Sequence, residues 1–193
     1  MLTRIFNVIL IGVTLTTTSN TVSLAQDSEA GLANEPIKIQ RIKSPVELDG
    51  LSNEPAWEGI ESFSMVMRIP NFGSEPSEST EVLLGYDDNY LYVAGRLYDS
   101  EPSKIQSTSL QRDRGWNWTT DHLGLIFDTF NDNENAVLFV TTPAGTRTDL
   151  SIKNDGEGEP DKYANFSWNT FWDVKTVQND DGLYSLSINP PKI

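Results

Sequence analysis

The sequence predicts an all-β protein, an antiparallel β-sandwich, and three observations carry that prediction. Ten Pro and thirteen Gly are spread between short apolar runs, a layout that suits strands joined by turns better than long helices. Residues 90–98 alternate: Leu91, Val93, Gly95 and Leu97 fall on one face, Tyr92, Ala94, Arg96 and Tyr98 on the other. That two-residue period marks a half-buried strand with one apolar and one mixed face. Finally, 193 residues with five Trp, six Tyr and eight Phe are enough for one domain with a real core.

The elements follow in chain order. Residues 1–25 read as a secretory signal peptide: a basic start at Arg4, an apolar run over residues 5–15, and a small-x-small cleavage pattern at Ser23, Leu24 and Ala25. Residues 26–36 lack apolar periodicity and read as a flexible leader, so the sandwich is expected over 37–193. Strands are expected over 37–42, over 46–48 before a turn at Asp49-Gly50, and over 63–69, with a short helical turn at residues 53–57 where Asn53 can cap and Pro55 can start it. Residues 82–86 and 90–97 form a hairpin around Asp87-Asp88-Asn89. After a long polar connection over 100–120, residues 122–127 pair with 136–141, 147–152 adds a strand, and 171–177 pairs with 183–188 across the turn at 179–182. The total is about eight strands, enough for a sandwich.

Charge excludes several partners. The formal net charge is −14, and loss of residues 1–25 removes one Arg and no acid. So acidic a surface repels phosphate backbones and anionic lipid, which argues against nucleic acid and against peripheral membrane adsorption. With no Cys there are no disulfides, thiolate zinc sites or thiol nucleophiles, and export without disulfides points to a bacterium rather than a eukaryote, with the periplasm or outer membrane of a Gram-negative cell as the expected location. Enzyme templates are equally poor. His122 is the single His and lies within a strand pattern, and no nucleophile elbow, two-His metal motif or phosphate loop is present.

The long connection carries the most suggestive chemistry. Arg112, Asp113, Arg114, Trp116, Asn117 and Trp118 put indole faces beside donors and acceptors. Indoles stack on the C–H faces of a pyranose, while Arg, Asn and Asp match its hydroxyls. Trp57, Trp168 and Trp172 are expected in the core. A second cluster, Asp128, Asn131, Asp132, Asn133 and Glu134, offers the hard oxygens Ca²⁺ takes, without the Gly of an EF-hand loop. A solvated acidic hairpin is the competing reading.

The segment from Val46 through Asp49-Gly50, Glu54 and Trp57 resembles the opening of family 9 carbohydrate-binding modules. Residues 80–92 resemble the central hairpin of that family, and 121–128 its following strand. Arg112-Asp113, Phe127 to Phe130, Pro143-Ala144-Gly145 with Asp149, and Asn169 to Asp173 resemble the variant at the N-terminus of large bacterial exported proteins that continue into an outer-membrane β-barrel. The resemblance spans about residues 37–189. It implies a non-catalytic sandwich that binds oligo- or polysaccharide, commonly with structural calcium, for which the acidic turn read above offers Asp128, Asp132 and Glu134. It further implies Trp118 as a stacking indole and Asp99 as a hydroxyl-binding carboxylate, with Trp116, Arg112 and Asn117 nearby. Two departures stand out: Val140 sits where binding members can carry an Arg, and relatives continue past the strand at 183–188, which implies a sandwich incomplete at its C-terminus. Two alternatives follow. One is a structural or interaction domain of an outer-membrane protein without sugar affinity. The other is a haem-binding sandwich, for which His122, Met65 and Met67 are the strong axial-ligand candidates.

Overall fold

The computed structural model describes residues 9–11, 37–63, 65–114, 119–179 and 183–188, with residues 9–11 and 183–188 described as backbone alone. Two five-stranded sheets face each other. One runs β1 (Ile9–Ile11), β5 (Leu123–Phe127), β6 (Ala136–Thr141), β7 (Arg147–Ile152), β8 (Ala164–Asn165); the other runs β2 (Gln40–Arg41), β3 (Thr80–Tyr86), β4 (Leu91–Tyr98), β10 (Leu183–Ile188), β9 (Val174–Gln178). All ladders are antiparallel except β1 on β5 and β2 on β3. The antiparallel sandwich expected from the sequence is therefore the fold observed.

Local chemistry explains the hairpin of β3 and β4. Asp87 Oδ1 accepts the backbone N–H groups of Asn89 at 2.7 Å and Tyr90 at 2.8 Å, so the side chain itself closes the turn. Register then places Leu84 opposite Val93 and Val82 opposite Gly95. Val82, Leu84, Val93 and Leu97 meet Leu123, Leu125, Phe127, Val137 and Phe139 of the facing sheet, with Trp172 and Val174 closing the layer. Trp172 packs edge-on to Phe139 with ring centroids 5.2 Å apart, and Trp168 lies 6.1 Å from the same ring.

The half-buried hairpin expected from the alternation is covered on both faces. Leu83 and Ala94 on its outer side are buried against Ile42, Ala56 and Trp57. A polar cross-link holds that cover. Arg96 donates to the Ser52 hydroxyl at 2.7 Å, to the Ser52 carbonyl at 2.6 Å, and to Glu81 across the ladder at 3.2 Å. The helical turn forms at Pro55–Trp57 with Glu54, not Asn53, before it; Glu54 accepts the Trp57 indole N–H at 3.1 Å and the Glu47 N–H at 2.9 Å. That second bond takes the Glu47 N–H out of any ladder, and 46–48 is irregular instead of a strand. Residues 63–69 likewise reduce to one bridge, Phe63 to Val82, because the Met67 N–H turns to the Ser74 carbonyl at 2.8 Å.

Within the stretch read as a signal peptide, Ile9–Ile11 lies parallel to β5; the cleavage pattern and the leader over 26–36 fall outside the described residues. Val140 is buried on the outer face of its sheet with Leu138 and Leu150, which makes it a packing residue with nothing to offer a ligand.

Candidate functional site

The described residues of the connection from β4 to β5 are tied down at several points. Asp99 directly follows β4, is 7 % exposed, and its Oδ1 accepts the Glu101 N–H at 2.7 Å. Gln106 and Asp121 close the base of the loop: the Gln106 N–H donates to Asp121 Oδ2 at 2.7 Å and the Asp121 N–H to the Gln106 carbonyl at 3.1 Å. Hydroxyls stitch its underside, with Thr108 and Thr120 at 2.6 Å, Ser107 donating to Thr142 at 3.4 Å, and Thr142 and Thr146 at 2.6 Å. A long connection so bonded is a built platform.

Arg112 is the principal tie. Its Nη2 donates to the Asp149 carboxylate, to Asn169 Oδ1 at 3.0 Å and to the Thr170 carbonyl at 3.4 Å. Register puts Asp149 opposite Phe139 on the inner face of its sheet, where it is 2 % exposed, and its second oxygen accepts the Thr170 N–H at 2.7 Å. The Asp113 N–H adds a bond to the Arg147 carbonyl at 2.9 Å. Arg147 in turn donates to the Trp172 carbonyl and to Asp173 at 2.5 Å. Three segments far apart in sequence, residues 112–113, 147–149 and 169–173, are thereby joined. One guanidinium nitrogen shared among three acceptors braces the loop, a task the expectation of a hydroxyl donor did not include. Trp116, Asn117 and Trp118 lie outside the described residues.

The acidic hairpin is self-capped. Asp128 accepts the N–H groups of Phe130 at 3.1 Å, Asp132 at 3.4 Å and Asn133 at 2.9 Å. Asp132 accepts those of Glu134 and Asn135 at 2.9 and 2.8 Å and the Asn135 amide at 2.7 Å. These bonds, the Asn135 side chain foremost, hold the Asp132 carboxyl below its ordinary range. Among the described residues no three His, Asp or Glu side chains gather as a metal would need. Two of the three residues expected to hold calcium, Asp128 and Asp132, thus spend carboxylate oxygens on the turn's own N–H groups.

The three haem candidates have different surroundings. His122 is buried with Nδ1 2.9 Å from the Thr120 carbonyl, which places a proton on that nitrogen, and Met67 sulfur accepts the Ser74 hydroxyl at 3.6 Å. Met65 packs against the core.

Asp149 and Asn169 stand in the sequence as marks of the family resemblance, but pattern reading gave them no place in the site. The available signal was an acid at a core-facing position of an apolar strand, legible only once the register is known.

No protein-family profile matches the chain, and no curated protein matches it. Among solved structures it is similar to a family 9 carbohydrate-binding module from Caldicellulosiruptor kristjanssonii in complex with glucose, at TM-score 0.52 and 16 % identity over 80 % of this chain and 68 % of that one. A second structure of such a module from the same organism, in complex with cellotriose, aligns at TM-score 0.49 and 19 % identity over 79 % and 66 % of the two chains. The class the fold defines is thus a β-sandwich of the family 9 carbohydrate-binding type.

Proposed function

We propose that this protein is a non-catalytic carbohydrate-binding domain that takes an oligo- or polysaccharide on the β4 to β5 connection. The observation that carries the reading is the bracing of that connection by Arg112 and Asp149 on a sandwich whose structural neighbour holds glucose. A braced connection whose sequence carries two indoles and an amide is suited to a ligand with flat apolar faces and a hydroxyl rim. Trp118 is the stacking platform and Trp116 and Asn117 its flank; Asp99, at the end of β4, is the hydroxyl acceptor. The sequence features of residues 1–25 support export to the periplasm or outer membrane of a bacterium, in the service of polysaccharide breakdown or uptake. In longer relatives an outer-membrane β-barrel region would follow.

The test is retention of the protein on a glycan array, followed by calorimetric titration with the retained sugar, glucose and cellotriose. Trp118→Ala should bind several-fold more weakly, since a stacked aromatic contributes on the order of 1 kcal/mol. No retention on any glycan overturns the proposal.

One observation favours a second reading, an interaction domain of an outer-membrane assembly without sugar affinity. Val140 is sealed into an apolar cluster and Arg112 is committed to Asp149, which removes two donors from the sugar. Capture of a purified barrel partner by a chain that ignores the glycan array would establish it.

A further inference from the structure

We propose that Phe171, with Asn169 and Asp173 on either side of it, is a further sugar-stacking platform; the inference rests on the carbohydrate reading above. Phe171 is 94 % exposed, the most exposed large apolar side chain among the described residues, and its neighbour Trp172 is 3 % exposed. The segment from β8 to β9 alternates outward at Asn169, Phe171 and Asp173 and inward at Trp172. In extended chain such residues lie about 7 Å apart along one face. One aromatic ring therefore stands between an amide and a carboxylate, a pairing that matches a pyranose, whose C–H face stacks while its hydroxyls donate and accept.

The ring stands on a fixed base. On its N-terminal side the Thr170 N–H donates to the buried Asp149, and the Thr170 carbonyl accepts from Arg112. On its C-terminal side the Trp172 carbonyl accepts from Arg147, and the Trp172 ring is wedged against Phe139. With the backbone held at both neighbours, only the two side-chain torsions of Phe171 are left to freeze on binding, a small cost for a large contact. The polar flanks are held as well. Asn169 turns its carbonyl oxygen to Arg112, which leaves its NH₂ as the donor for a ligand. Asp173 is held by Arg147 with its side chain 69 % exposed. Because Arg112 also anchors the β4 to β5 connection, the platform is joined by one side chain to the loop proposed to carry Trp118.

The experiment compares the parent chain with Phe171→Ala, Phe171→Leu, Phe171→Tyr and Trp118→Ala by titration with cellotriose and with the sugar retained on the array. Phe171→Ala and Phe171→Leu should each weaken binding about three- to tenfold while Phe171→Tyr stays near the parent, because a stack needs an aromatic face and not merely apolar bulk. At an exposed position none of these changes should shift the melting temperature. If Phe171→Ala binds as tightly as the parent while Trp118→Ala is weakened, the platform is overturned and the carbohydrate reading stands. If the parent itself binds no sugar, both are overturned.

Discussion

Arg112 and Asp149, 37 positions apart in the chain, form an ion pair in which the Asp149 side chain is 1 % exposed and the Arg112 side chain 31 %. The pair couples the loop between the sheets to β7 and, through Thr170, to the segment entering β9. Removing one partner of such a pair strands the other. Arg112→Met should destabilise the fold by about 2–3 kcal/mol, less than a fully buried pair because the guanidinium reaches water. The double change Arg112→Met with Asp149→Leu should recover part of that loss in urea unfolding. A double variant no more stable than the single one would show that the Thr170 bond to Asp149, not the ion pair, sets the cost.

Gly50 and Gly59 both have positive φ, +91° and +77°, but their surroundings differ. A Cβ at Gly50 would stand 3.1 and 3.2 Å from the backbone carbons of Thr176 and Lys175, whereas at Gly59 nothing lies within 4 Å. Gly59→Ala should therefore cost only the left-handed conformation, about 1 kcal/mol, and Gly50→Ala at least another 1 kcal/mol because backbone cannot step aside as a side chain can. Equal urea midpoints for the two variants would refute the close approach of the 49–50 turn to β9.

Tyr92 and Asp87 are linked by a 2.9 Å hydrogen bond, and partial burial, then that bond, push the Tyr92 phenol up to about 12. The phenol's folded value lies above its unfolded one of about 10. Its contribution is thus whole below pH about 10 and is lost as pH rises toward about 12. The Asn89 and Tyr90 N–H groups lower the Asp87 carboxyl, so its contribution is present above about pH 4 and is lost as pH falls through the folded value. Tyrosinate absorbance should show one group that ionises at higher pH than the rest and that vanishes in Tyr92→Phe. Six tyrosines titrating together would contradict it.

Asp132 behaves in the same sense as Asp87. Its folded carboxyl is lowered, so stability it contributes above about pH 4 declines as the pH falls further. Calcium should leave the melting temperature unchanged between chelator and millimolar-order ion, since binding would have to strip the turn's N–H groups from Asp128 and Asp132. A site that did exchange them would gain about 2.7 kcal/mol at 100 times its dissociation constant, and a melting temperature raised by several degrees would establish the metal.

Local pattern was enough for the strands whose partners are near in sequence. β6, β7 and β10 have the bounds their alternation implies, and β4 and β5 begin one residue inside theirs, because apolar periodicity and the Asx turn at Asp87 act over a few residues. It failed where a side chain elsewhere diverted a backbone group. Glu54 took the N–H of Glu47. The Asp149 and Arg147 side chains bind the backbone around Phe171, and β9 starts at Val174 rather than at 171.

The candidate site was legible in kind but not in arrangement. Arg112 was visible as a loop cation, yet which of twenty-eight acids would meet it depends on register, and only the pairing of Phe139 with Asp149 turns that acid inward. The acidic turn shows the converse: five oxygen-bearing side chains in seven positions suggest a cation, and only the structure shows that Asp128 and Asp132 accept the turn's own N–H groups.

By itself, the sequence determined the all-β class, the order of the main strands, the turn at Asp87 and the acidic, cysteine-free character of the surface, since each depends on composition or on contacts a few residues long. Tertiary structure alone decided that both faces of the β3–β4 hairpin are covered, that Arg112 is a brace, and that Phe171 stands in water beside the buried Trp172. Those outcomes depend on which distant backbone and side-chain groups meet, and hydrogen bonds and packing across two sheets are set by register and crossover, quantities no local pattern encodes.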